Sequence, residues 1–309
     1  MTAAPHSPRP ASPDPHPTAA HPAHLHRAVA EWYAAHARDL PWRAADATGW
    51  SVLVSEVMLQ QTPVARVEPV WRAWLAAWPT PADLAAAPVA DVLRAWGRLG
   101  YPRRALRLRD AAAAIVAAHD GEVPLDLDTL RALPGIGEYT AAAVAAFAYG
   151  RRAVVLDTNV RRVLTRVLDG EALPAPSLTS AERTRAAAVL PRDPAAAARW
   201  SVGIMELGAL VCTARAPSCT ACPVAGACAW RAAGYPPDPH AHRRRVQAWH
   251  GTDRQARGRL LGAVREAGGV VPDAVLGLAW PEAEQRERAL ATLVADGLLV
   301  SRDDGYALP

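Results

Sequence analysis

Leu133-Pro134-Gly135-Ile136-Gly137, followed by Glu138, stands between two periodic apolar segments. Two glycines with one apolar residue between them make a tight turn, and a helix opens directly after it. Such a turn exposes backbone N–H groups at a helix N-terminus, which suits a phosphate. The stretch reads either as a helix-hairpin-helix that grips a DNA backbone without reading sequence, or as an ordinary αα-hairpin. Outward from it, apolar residues at three- and four-residue spacing predict helices over 25–37, 50–60, 64–77, 89–96, 104–118, 127–132, 138–148, 158–168, 180–189 and 195–210. Pro and Gly separate them, as at Pro63, Pro79, Gly100, Pro124 and Gly150. A β-branched alternating run is almost absent before residue 245, so the main body is expected to be all-α.

The ends read differently. Residues 1–22 are Pro, His, Ala and Ser with no periodic apolar face, which predicts a disordered tail. A Pro- and basic-rich stretch, 235–248, with Arg243, Arg244 and Arg245, reads as a linker. Beyond it the pattern predicts a helix at 253–267, a short apolar piece at 269–278 and a second helix at 281–295. Leu298–Ser301 and Tyr306–Pro309 then flank the hairpin signal Arg302-Asp303-Asp304-Gly305. Two helices and a hairpin suggest a small winged-helix-like module over 249–309.

The chain has 309 residues, 51% of them hydrophobic, enough for a core and two domains or one with an appendage. A net charge of +4 permits an anionic partner without requiring one. All 34 Lys-or-Arg residues are arginine, a bias that a GC-rich genome explains. Its chemical consequence holds whatever the origin: a mechanism that needs a side-chain amine is not open to this chain. No apolar run has the length of a membrane span and no signal peptide is evident, so a cytoplasmic protein is expected. In that compartment four cysteines are expected to hold a metal or cluster rather than form disulfides.

Those four, Cys212, Cys219, Cys222 and Cys228, share one short loop. Four converging thiolates suit a tetrahedral zinc or a cubane iron–sulfur cluster. Zinc sites usually show two close Cys pairs, and only Cys219 and Cys222 are close here. Glu56 lies on a helix amid apolar residues, with Leu53, Val57 and Gln60 at helical spacing. It is either a surface Glu or a carboxyl in an apolar niche, whose pKa is raised and which donates a proton near neutral pH. Asp157, in Leu156-Asp157-Thr158-Asn159-Val160-Arg161-Arg162-Val163, is by itself an ordinary N-cap. Paired with Glu56 it completes a two-carboxyl set for glycosidic bond cleavage. In Trp96-Gly97-Arg98-Leu99-Gly100-Tyr101-Pro102 an aromatic and a Leu either wedge into a base stack or anchor the loop to the core.

Together these residues resemble the endonuclease III superfamily of base-excision glycosylases, and within it the adenine DNA glycosylase (MutY-type) branch. The resemblance spans roughly residues 25–230, through Leu40-Pro41-Trp42-Arg43, Ser55-Glu56-Val57-Met58-Leu59-Gln60-Gln61-Thr62, Leu99-Gly100-Tyr101, the Leu133–Gly137 turn, the Asp157 stretch, Met205-Glu206-Leu207-Gly208-Ala209 and the four-cysteine loop. It implies an all-α helix-hairpin-helix DNA glycosylase fold. In that fold a six-helix barrel module (49–153) and an iron–sulfur cluster module (23–48 and 154–234) make up a glycosylase domain over 23–234. It further implies a [4Fe–4S] cluster rather than zinc, duplex DNA with A opposite 8-oxoguanine or G as partner, and a monomer located with the nucleoid if the source is bacterial.

By the same resemblance Glu56 is the general acid and Asp157 the carboxylate that stabilises the sugar cation, with Tyr139 and Asn159 in support. Gln60 and Tyr101 fill or pry open the helix beside the opposing guanine. Arg43, Gln61, Thr62 and Leu99 match DNA-contacting positions, and Gly135 and Gly137 shape the phosphate-binding turn. Relatives that cut the strand carry Lys where this chain has Tyr139, which implies a monofunctional enzyme. Thr158 and Pro102 depart from the Gly and Tyr common in the family. The Phe-Ser-His loop of the Nudix-like reader domain has no counterpart, since Phe147 is the single Phe. An oxidised-pyrimidine glycosylase/AP lyase and a non-catalytic DNA-binding iron–sulfur protein are the alternative readings.

Overall fold

The computed structural model describes residues 22–243 and 249–309, which group into two compact units. The expected tail therefore lies outside the described residues up to position 21, as do residues 244–248 of the expected linker. One unit comprises the residues up to His36 together with Thr158–Val189 and Gly203–Arg243. The other holds Ala37–Asp157, Leu190–Val202 and the C-terminal residues. The sequence boundaries assigned 37–48, 154–157 and 190–202 to the cluster module, whereas they group with the helices of 49–153 here. Local bonds account for this: Arg152 Nε donates to the Pro191 carbonyl at 2.8 Å.

In chain order the helices are α1 (Pro22–His36), α2 (Gly49–Leu59), α3 (Val64–Ala77), α4 (Pro81–Ala86), α5 (Val89–Trp96), α6 (Arg103–Ala118), α7 (Leu127–Ala132) and α8 (Glu138–Phe147). Helix α2 is central to its unit. Thr48 caps it by accepting from the Ser51 N–H, and all nine residues Trp50–Met58 are buried. A helix buried on every side belongs in a core, and α3, α6 and α8 pack around this one. Helix α4 is absent from the expected helices, with Pro79 and Pro81 at its start and Pro88 just past its end. Its signal is a capping box between Thr80 and Asp83 with Pro81 in the first turn.

The other unit continues through α9 (Thr158–Leu164), α10 (Ser180–Val189) and α12 (Ala229–Ala232), while α11 (Pro194–Leu210) has residues in both units. The single helix expected over 158–168 ends at Leu164 and widens into a π turn, Thr165–Asp169. This turn carries the fully buried Arg166, and such turns recur at functional positions.

The C-terminal module is built from α13 (Asp253–Ala267), α14 (Asp273–Ala279), α15 (Ala283–Ala295) and the antiparallel strands β1 (Val300–Arg302) and β2 (Gly305–Ala307). The piece expected to be merely apolar at 269–278 instead makes a bridge from Val271 to Tyr306 and the third helix. Gly305 has φ +148, and a Cβ there would collide with the Val271 carbonyl, so only glycine lets the hairpin close on that bridge. Arg265 donates to the Gly97 carbonyl at 2.6 Å, and Asp296 pairs with both Arg103 and Arg257, which joins this module to the barrel helices.

Arg104 was not foreseen. It is buried, and its guanidinium donates to the carbonyls of Val57 (2.8 Å), Gln60 (2.5 Å) and Gly100 (3.0 Å) and to Thr62 Oγ1 (3.2 Å). It therefore pins the end of α2 and the loop before α6 to one cation. Arg104→Met keeps the length and loses the donors. It is expected to lower the unfolding free energy by about 2–4 kcal/mol, because several buried carbonyls lose their partner. A denaturant midpoint equal to that of the parent protein would refute this role.

Candidate active site

Glu56 sits on the buried α2, 5% exposed. Tyr139, in the first turn of α8, donates its hydroxyl to Glu56 Oε2 at 2.7 Å. Burial pushes the Glu56 pKa up to about 7. The Tyr139 hydrogen bond opposes that rise, the Asp157 charge adds to it, and the Arg43 charge opposes it. Burial and the two carboxylates hold the Tyr139 phenol well above its ordinary value, so it stays protonated and remains the donor. Glu56, Tyr139, Asp157 and Arg43 thus form one electrostatic group. Glu56 is therefore not a surface Glu.

Asn159 lies in the other unit, where its Oδ1 accepts from Arg162 at 2.8 Å. Arg162 also donates to the carbonyls of Gly208 (2.7 Å) and Cys212 (2.7 Å). A Cβ at Gly208 would stand 2.7 Å from the Asn159 Cβ, so glycine is what admits this close packing of α9 on α11.

The loops flanking α2 and α6 sort the remaining expectations. Gln60 is half-buried, and its amide donates to Thr140 Oγ1 at 3.2 Å. Gln61 is exposed at φ +56, and Tyr101 is 47% exposed at φ +47. Two bulky residues in the left-handed region within one clamped pair of loops is stored strain of the kind found where ligands are gripped. Leu99 and Thr62, both expected as DNA contacts, are buried in this structure. Leu99 is 4% exposed, and Thr62, at 7%, donates to the Leu99 carbonyl, so both serve as anchors between loops. Trp96 is likewise core, with its indole N–H on the Gly100 carbonyl at 3.0 Å. At the hairpin, Gly135 has φ +74 and Arg107 packs beneath it, while Gly137 caps α8; both glycines are exposed.

The four cysteines line a single apolar cavity together with Arg166 and Trp230. Arg166 donates to Cys212 Sγ at 3.2 Å and to the carbonyls of Thr213 (2.7 Å) and Ala172 (2.8 Å), while Trp230 covers its guanidinium at 4.5 Å. Burial pushes the Cys222 thiol up to about 11, the Val224 backbone N–H opposing the rise and the neighbouring sulfurs adding to it. Among the described residues no three His, Cys, Asp or Glu side chains close on a single ion. No described helix is long and apolar enough to cross a membrane.

A family profile described as "HhH-GPD superfamily base excision DNA repair protein" matches residues 54–187. The "Adenine DNA glycosylase" of Mycolicibacterium smegmatis is 52% identical over 275 residues, covering 89% of this chain and 92% of its own. This chain belongs to the adenine DNA glycosylase family. The family's member from Mycobacterium tuberculosis is 49% identical over 298 residues, 96% of this chain and 97% of that one. That span is too long to leave out the C-terminal module. The solved structure of a thermostable thymine-DNA glycosylase matches with a TM-score of 0.61 at 23% identity, over 69% of this chain and 97% of that one, a likeness of fold.

A raised Glu56 pKa costs stability once the group ionises. The native state binds more protons than the unfolded chain between the ordinary value of 4.5 and about 7, so this contribution is fully present below 4.5 and falls away as pH rises through 7. Glu56→Gln, which removes the charge, is expected to be more stable than the parent at pH 8 by up to about 3 kcal/mol, with little gain at pH 4. Denaturant unfolding at the two pH values checks this, and an equal effect at both would contradict it.

Proposed function

We propose that this chain hydrolyses the N-glycosidic bond of adenine mispaired with 8-oxoguanine or guanine in duplex DNA, and that it does so without cutting the strand. The observation that carries the reading is the buried Glu56 carboxyl held by Tyr139, where burial pushes its pKa up to about 7. An extruded adenine takes the Glu56 proton on its five-membered ring. The bond from C1′ to the base then breaks, and its electron pair leaves with the neutral base. Asp157 stabilises the positive sugar. Water adds to C1′ and gives its proton to a carboxylate, which restores the starting charge. Tyr139 keeps Glu56 aimed, and Arg43 offsets part of the surrounding negative charge.

Strand cutting through an imine needs an amine. The family's lyases carry it where Tyr139 stands, and every basic Lys-or-Arg position in this sequence is arginine. The exposed Gln61 and Tyr101 and the half-buried Gln60 are the groups offered to the opposing base, and the Gly135–Gly137 turn is offered to a phosphate. The chain acts on DNA as a monomer.

A [4Fe–4S] cluster fits the cysteine cavity. Four sulfurs face one apolar space, and the Arg166 cation donates to Cys212. Cys212, Cys219, Cys222 and Cys228 would hold the cluster, which would brace the loop after α11 rather than enter the reaction. Anaerobically purified protein is expected to carry iron and sulfide near about four each per chain.

A duplex panel with alkali workup tests the activity. Adenine release is expected opposite 8-oxoguanine and G, and neither C opposite A nor thymine glycol opposite A should be processed. The single-turnover rate should fall about tenfold per unit as pH rises above about 7. Glu56→Gln should abolish release and keep duplex binding. No release from any duplex would defeat the proposal, as would strong borohydride trapping that survives deletion of the N-terminal residues.

A further inference from the structure

The C-terminal module takes no part in the reaction above, and its charges are unevenly placed. In winged helices the second helix of the helix-turn-helix pair usually enters DNA. Here that helix is α15, whose exposed residues include Glu284 and Glu287, and the wing turn is Asp303-Asp304. Two of the cations nearby are engaged: Arg288 on Asp253 at 3.1 Å, and Arg286 on the Trp280 carbonyl at 3.1 Å. A phosphate backbone would be repelled from that face.

Helix α13 is the opposite case. Arg254, Arg257, Gly258, Leu261, Gly262 and Arg265 recur at three- and four-residue spacing and line one side of a groove of about 1290 Å³. The far side is the Gly97–Arg104 loop with Gln60 and Gln61. Nine arginines line this groove against one glutamate, Glu266. Two exposed aromatics, Tyr101 and Trp249, stand in it, and Arg254 lies over the Trp249 ring at 4.9 Å. Some of the arginines build the walls, as Arg265 does on the Gly97 carbonyl and Arg257 on Asp296. Others, such as Arg254 and Arg259, are exposed. The floor is bare: a Cβ at Gly258 would meet nothing within 4 Å, and one at Gly262 only an Arg265 nitrogen at 3.9 Å.

We propose that this groove is a track for the DNA sugar–phosphate backbone, so that the C-terminal module clamps the duplex through its first helix, α13, and not through α15 or the wing. The inference rests on reading the chain as a DNA-acting enzyme. Gln60 lies one helical turn beyond Glu56 in sequence and also lines the groove. A strand in the track therefore leads to the loops that face the opposing base. Arginine-lined grooves with scattered aromatics hold backbone without reading sequence.

The test uses full-length protein and an undamaged duplex, with affinity measured across a salt series. Arg254→Ala with Arg259→Ala is expected to reduce the slope of log K against log salt by about 1.8, two phosphate contacts at about 0.9 each, and to weaken binding roughly tenfold. Arg254→Lys with Arg259→Lys should keep the slope. Gly258→Leu fills the bare floor of an exposed helix face, so it should weaken binding while the melting temperature holds or rises. Arg288→Ala with Arg302→Ala removes the same charge from α15 and the wing and should leave binding unchanged. An unchanged slope in the double alanine variant, or an equal loss from the α15 and wing variant, overturns the proposal. A protein that shows these salt effects but releases no adenine would sink the functional reading and leave the clamp standing.

Discussion

The rest of the barrel unit is arranged around one burial, that of the Glu56 carboxyl on a helix enclosed on every side. Desolvation disfavours its charged form, so the site works only if α2 stays dry. The seven residues Thr140–Ala146 of α8 are all buried, and five of them are alanine, which lets α8 lie close against α2. That close approach brings Tyr139, at the exposed start of α8, onto the carboxyl. The same packing thus makes Glu56 hard to ionise and supplies the one hydrogen bond that limits the effect. Stability at neutral pH is given up for a proton held near its point of use.

Arginine does the structural work around this core. Arg104, Arg162 and Arg166 are each buried, and each spreads its donors over backbone carbonyls at the ends of helices. A planar guanidinium with five donors can tie several loop ends together, which an ammonium does less well. Arg104 fixes the loops that present Gln61 and Tyr101 in left-handed backbone, and Arg166 fixes the start of the cysteine loop. The guanidinium-rich composition is therefore part of how the functional loops are held, whatever genomic bias produced it.

Much of the fold was legible in the chain. Long periodic helices bounded by Pro and Gly were found to within a few residues, because an amphipathic or buried helix writes its contacts at three- and four-residue spacing. Some short elements were not. Helix α4 lies among Pro79, Pro81 and Pro88 and reads as a connection, and α14 sat inside an apolar run that reads alike as strand or helix. The π turn after Leu164 leaves no mark in a periodicity of whole residues. Glu56, Asp157 and the cysteines were singled out from motif chemistry, and Tyr139 from the family resemblance. The burial of Leu99 and Thr62 was not, since a motif names a position and not the direction of its side chain.

The residues of the chain settle which groups exist: two carboxyls, four clustered thiols, a glycine turn, and no side-chain amine. Those are covalent facts and need no fold. What the groups are worth depends on how the chain is folded. The Glu56 pKa depends on how completely α2 is wrapped, and the part played by Arg104 depends on carbonyls far from it in sequence. The basic groove along α13 depends on loops some 150 residues away in the chain. Desolvation and long-range hydrogen bonds are properties of assembled surroundings, so no local reading of residues contains them.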